Sequence, residues 1–76
     1  MSADYRIMER ALGKKIATLR QQHQMSQADL ANASYLGEAT ISRVESGKTS
    51  PKLYNLHGIA NALNISLSEL FSGIDD

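Results

Sequence analysis

The 76-residue chain has no cysteine and no tryptophan, a single proline, a single phenylalanine and a formal net charge of zero. Without cysteine there is no disulfide, no thiolate nucleophile and no cysteine-ligated zinc. No apolar run approaches the ~20 residues that a membrane-spanning helix needs, so no membrane segment is expected. The first ten residues, MSADYRIMER, are charged and lack the apolar core of a signal peptide, which points to a cytoplasmic protein. Aromatic residues are scarce and apolar–polar alternation is absent, so nothing in the chain reads as a strand. The length predicts one domain over residues 1–76 with a modest core and no separate sensing or catalytic domain. No serine–histidine–aspartate arrangement, phosphate-cradling glycine loop or paired-acid cleft emerges, so no enzyme is expected. His23 and His57 stand apart from any second ligand at metal-binding spacing, and Asp75-Asp76 reads as a solvated tail, so no metal or cofactor is expected.

What is present is helical spacing along the whole chain. The first helix is predicted from about Asp4 to Gln22. Tyr5, Met8, Leu12, Ile16 and Leu19 recur at steps of three or four as one apolar stripe, with Arg6, Arg10, Lys14 and Gln21 opposite. On this reading Tyr5 and Met8 belong to the core. Gly13 inside the helix costs roughly 1 kcal/mol against alanine, which the long stripe tolerates. Ser26 signals the start of a second helix, with Asp29 three residues on as a short partner that caps from one side only. A third helix runs from Gly37–Glu38 to Ser46–Gly47, where glycine supplies a left-handed stop. Ser50-Pro51 restarts the chain as a fourth helix, serine capping and proline in the first turn. Its buried stripe is Leu53, Leu56, Ile59, Ala60 and Leu63. Ser66-Leu67-Ser68-Glu69 is a full capping box for a short fifth helix with Leu67, Leu70 and Phe71, which Gly73 ends before a fraying tail, Ile74-Asp75-Asp76. The expectation is a compact all-α domain of five helices.

Residues 26–47, SQADLANASYLGEATISRVESG, hold the most informative pair of helices. In the runs 26–34 and 38–46, Leu30, Ala31, Ile41 and Val44 fall where two helices would lock against a core. Glu38, Ala39, Ser42 and Arg43 are left facing outward. This is the pattern of a helix-turn-helix, where the first helix braces a second that lies in the DNA major groove. Zero net charge runs against a nucleic-acid binder, yet the charges are unevenly spread. Residues 1–25 carry a local +3, residues 40–60 a local +2 and residues 61–76 a local −3, with Asp29 and Glu38 supplying the remaining −2. A neutral molecule can therefore present a positive face.

The ordered set Leu19-Arg20, Ser26-Gln27, Leu30-Ala31, Ile41-Ser42-Arg43, Glu45, Gly47-Lys48, Ser50-Pro51, Leu53, Leu56, Ala60, Leu63 and Ser66–Leu70 resembles the lambda repressor/Cro-like helix-turn-helix family, also called the xenobiotic-response-element family. The resemblance spans residues 12–71. It implies a five-helix lambda-repressor-like DNA-binding domain whose third helix reads double-stranded DNA. It implies base reading by Glu38, Ala39, Ser42 and Arg43, and backbone contact by Gln27, Thr40, Ser46 and Lys48. Tyr54, next to Lys52 where the family approaches the backbone, is a further phosphate candidate. It also implies that Arg20 and Glu45 pair to tie the first helix to the end of the third. Two positions depart from the family pattern: Tyr35 in the turn and Gln24 after the first helix stand where glycine is usual, and a left-handed tyrosine points to a rearranged turn.

Each assignment has a plainer counterpart. Arg43 can donate two parallel bonds to guanine or remain a solvated arginine. Glu38 can accept from a cytosine amino group or simply favour the helix start. Ala39 can meet a thymine methyl or only allow close approach, and Ser42 can donate or accept. Gln27, Thr40, Ser46 and Lys48 can hold phosphates or serve ordinary capping and solvation. One recognition helix covers few base pairs, so a homodimer reading an inverted repeat with half-sites about 34 Å apart is expected. Ile65, Phe71 and Ile74 are candidates for its interface, unless they complete the core, and residues 2–10 are a second candidate surface. The physiological roles open to the scaffold are phage-type repressor, restriction–modification controller and antitoxin. A protein partner such as a toxin or RNA polymerase, or a protein-interaction module that has lost DNA binding, are the alternatives.

Overall fold

The computed structural model describes residues 5–74. Five α-helices follow one another: α1 (Tyr5–Gln22), α2 (Gln27–Ser34), α3 (Glu38–Glu45), α4 (Leu53–Ala62) and α5 (Leu67–Phe71). The fold is all-α, with no strand among the described residues. Asp4, the expected start of α1, and the tail Asp75-Asp76 lie outside them. The core gathers Leu12 and Ile16 from α1, Leu30 and Ala31 from α2, Ile41 and Val44 from α3, Leu56, Ile59 and Ala60 from α4, Leu63 just after it, and Leu70 from α5. α3 packs against α1 and α2, whereas α4 lies on α2 and α5. Five residues cannot persist as an isolated helix. α5 persists because burying Leu70 contributes roughly 1.5–3 kcal/mol and because the Lys15 ammonium donates to the carbonyls of Glu69 at 2.7 Å and Ser72 at 2.5 Å.

The first four helices end in the same way. After each one, a left-handed residue donates its N–H back into the last turn, and the next residue closes a longer bond. Gln24 and Met25 bond to Gln21 and Arg20, Tyr35 and Leu36 to Asn32 and Ala31, Gly47 and Lys48 to Val44 and Arg43, and Asn64 and Ile65 to Asn61 and Ala60. This is the Schellman closure, which satisfies carbonyls that the helix leaves orphaned. Only one of the four left-handed positions is glycine. Tyr35 adopts φ 59° and Gln24 φ 58°, so the turns keep the left-handed geometry and the side chains bear its cost, with no rearrangement of the α2–α3 turn. The residue after the left-handed position is apolar and packed on the core at Met25, Leu36 and Ile65. At α3 it is Lys48, which is exposed.

Several expectations are corrected by the packing. The capping box at α2 is two-sided: the Asp29 N–H donates to Ser26 Oγ at 3.0 Å, and the Ser26 N–H donates to Asp29 Oδ2 at 2.9 Å. Aspartate reaches because the N-cap backbone is extended (ψ 170°), which turns its N–H toward the first turn. The fourth helix starts later than expected. Lys52 is its N-cap, without a side-chain cap bond, so Pro51 precedes the helix. Ser50 instead donates its hydroxyl to the Glu9 carboxylate on α1. Leu53, expected in the buried stripe, is 66% exposed, because the core contacts of α4 begin one turn later at Leu56. Tyr5 and Met8 are exposed as well, since the first turn and a half of α1 extends past the core. Gly13 proves to be required. A Cβ there would fall on the Val44 carbonyl oxygen and within 2.7 Å of the Glu45 carbonyl oxygen, so α1 and α3 touch backbone to backbone.

Candidate nucleic-acid interface

α3 buries Ile41 and Val44 and leaves Glu38, Ala39, Ser42 and Arg43 exposed. The four residues named as base readers therefore share one uncovered helix face. Among the described residues, no hydrogen bond or ion pair engages the Arg43 guanidinium, which is exposed. Ser46 is exposed at the end of α3, and its hydroxyl donates to the Arg43 carbonyl at 3.0 Å, acting as a C-terminal cap. Thr40 is half-buried in the first turn, its N–H bonded to the Gly37 carbonyl at 3.1 Å. Lys48 stands exposed immediately beyond the α3 closure. Its exposure is informative because the equivalent residue in the other three closures is half-buried and packed against the core. Tyr54 is exposed on the first turn of α4, with the Lys52 ammonium 5.9 Å from its ring centroid. α4 packs on α2 and α5.

The orientation of α3 is held from behind. Arg20 of α1 donates from Nε to Glu45 Oε2 at 2.6 Å and from Nη2 to Glu45 Oε1 at 3.0 Å, a forked pair with the two side chains 12% and 6% exposed. Arg20 Nη1 also donates to the Met25 carbonyl at 2.8 Å, which ties the α1–α2 turn to the same guanidinium. The hydrogen bond to Glu45 raises the Arg20 pKa above its ordinary value, against the smaller opposing effect of burial. Gln27, the first residue of α2, donates from Nε2 to Glu45 Oε1 at 3.0 Å. The Gln27 amide is thus oriented by the same carboxylate that anchors α3. Sequence reading placed Gln27 near a phosphate but missed this link, because the 18 residues between Gln27 and Glu45 carry no periodic signal. The Gly13 contact with α3 was missed for the same reason.

The helix-turn-helix family model matches residues 16–70, most of the chain, including the whole of α2, α3 and α4. The chain belongs to the helix-turn-helix family. Relatives of this helix-turn-helix protein include the HTH-type transcriptional regulator PuuR of Escherichia coli (strain K12), 39% identical over 62 residues; the match covers 82% of this chain and 34% of PuuR. The chain thus spans about a third of the length of PuuR. The control protein C.MunI of a Mycoplasma species is 39% identical over 64 residues, with 83% of this chain and 86% of that protein covered. Among solved structures, the restriction-modification controller protein C.AhdI from Aeromonas hydrophila superimposes with a TM-score of 0.80 at 34% identity, covering 82% of this chain and 94% of the other. Helix-turn-helix regulators bind DNA with the second helix of the motif, which is α3 in this chain. Among the described residues, no helix is long and apolar enough to cross a membrane.

Proposed function

We propose that this helix-turn-helix protein is a sequence-specific transcriptional regulator that reads an inverted-repeat operator as a homodimer. The observation that carries the reading is the division of α3: one face is buried and locked through Glu45 to Arg20 and Gln27, and the other is uncovered and carries the exposed Arg43. A recognition helix needs this combination of rigid backing and free polar edge. Arg43 is assigned to bidentate contact with guanine, and Glu38, Ala39 and Ser42 to the neighbouring base edges. Gln27, Thr40, Ser46 and Lys48 are assigned to the DNA backbone, with Tyr54 at its margin. Two-fold symmetry would bring a second α3 about 34 Å away, one helical turn along the duplex. Support for self-association comes from the apolar groove of about 160 Å³ that Tyr5, Met8, Leu12, Pro51, Leu56, Phe71 and Ile74 line, with Phe71 40% exposed. Among regulatory roles, that of a restriction–modification controller is favoured by similarity running along 94% of C.AhdI.

Selection of random duplexes on the purified protein, followed by sequencing, tests this reading. An enriched inverted repeat with half-sites about one turn apart is expected. On the selected operator, Arg43→Ala should relax specificity at one base pair and cost about 1–3 kcal/mol, whereas Lys48→Ala should weaken all sequences alike. Equal losses across operator variants for both substitutions would overturn the assignment of roles.

A further inference from the structure

The closure of α3 is crossed by α1. A Cβ on Gly47 would lie 2.6 Å from Arg10 Cγ and 2.9 Å from Arg10 Cα, so the turn before Lys48 is pressed against Arg10 itself. Gly47 is also held at φ 74°, which fixes the turn against that helix. Arg10 is exposed, and its Nε makes only a long bond of 3.4 Å to the Arg6 carbonyl. No carboxylate pairs with it among the described residues. The neighbouring acid, Glu9, points elsewhere on α1, where its carboxylate accepts from Ser50. The first turns of α1 therefore set the stem of an exposed arginine against Gly47, the residue before Lys48, with its guanidinium bonded only at long range over the preceding turn of α1.

We infer that Arg10 extends the DNA-backbone contact of this protein, forming with Lys48 a two-cation edge that binds phosphodiester oxygens flanking the bases that α3 reads. The inference rests on the DNA-reading role proposed above. Guanidinium suits such a contact because its planar donors match phosphate oxygens in pairs. The ligand is the duplex backbone, so the contribution is independent of base sequence and appears in the salt dependence of binding. Arg10 lies outside the helix-turn-helix motif, and only the α1–α3 crossing brings it there.

The test measures equilibrium binding of the full chain to its selected operator, and to a duplex with the bases read by Arg43 exchanged, from about 50 to about 200 mM salt. R10Q keeps the aliphatic stem against Gly47 and removes the charge; R10K keeps both. The expected result is a shallower salt slope for R10Q. Its deficit against wild type should shrink about threefold per bound protomer across that range and be equal on both duplexes. R10K should keep the wild-type slope, and thermal melting should separate any effect on folding. A wild-type slope in R10Q, a loss confined to one duplex, or a slope lost equally in R10K would overturn the inference. Wild-type protein that binds neither duplex would instead overturn the DNA-reading role.

Discussion

Tyr35 sits at φ 59° with its side chain 95% exposed, so it bears the cost of a left-handed backbone and recovers nothing from packing. Tyr35→Gly is expected to stabilise the protein by about 1 kcal/mol, read as a higher urea midpoint at unchanged slope. An unchanged or lower midpoint would show that the ring does something else at this turn. Asp29 illustrates a different residue-scale effect. Bonds from the Ser26 backbone, and secondarily from its hydroxyl, hold the Asp29 carboxyl below the usual carboxylate range. A carboxyl depressed in the folded state contributes stability above its unfolded pKa and loses it as pH falls through the folded value. The contribution should therefore fade from about pH 4 downward. Asp29→Asn should flatten that part of the stability–pH curve, which urea titrations at a series of acid pH values would reveal.

At the scale of elements, the contact between α1 and α3 reverses an expectation drawn from propensity. Alanine is the better helix former by about 1 kcal/mol, so Gly13→Ala looks stabilising within the helix alone. Against α3 the added methyl meets the carbonyl oxygens of Val44 and Glu45, which are backbone and cannot move aside without shifting a helix. The substitution is expected to destabilise by about 1–3 kcal/mol, seen as a lower melting temperature. It should also weaken operator binding, because the displaced helix carries the reading face. The same crossing lets Arg20 reach Glu45 and sets Arg10 beside Gly47, so one close approach positions both the anchor of α3 and the charge at its end.

For the whole molecule, the neutral total conceals a division of labour. Arg10, Arg43 and Lys48 lie on or beside α3, while four acidic residues are engaged, Asp29 and Glu69 in capping boxes, Glu45 with Arg20 and Gln27, and Glu9 with Ser50; Glu38 stays exposed on α3 beside the cations. The self-association proposed above would use the remaining apolar surface. Ile65 is half-buried against the core, and Ile74 is half-buried where it lines the groove, so substituting either also perturbs folding. Phe71 is the cleaner test. Phe71→Ala should lower the dimer fraction in sedimentation equilibrium while leaving the melting of dilute protein nearly unchanged; an unaltered mass would remove α5 from the interface.

Local signals in the chain determined the elements themselves. Apolar spacing marks all five helices, Ser26 and Ser66 mark two starts, and Gly47 marks a stop, because caps and periodicity depend on residues only three or four apart. The outward residues of α3 were legible on the same grounds, and family likeness supplied the pairing of Arg20 with Glu45. Tertiary structure alone decided the rest. Leu53, Tyr5 and Met8 fit their helical stripes but extend past the core, since burial depends on where neighbouring helices end. Gly13 is indispensable, Gln27 is oriented by Glu45, and Arg10 meets Gly47, since each depends on a close approach between segments distant in the chain. Periodicity shows which face of a helix is buried; only packing determines what that face meets.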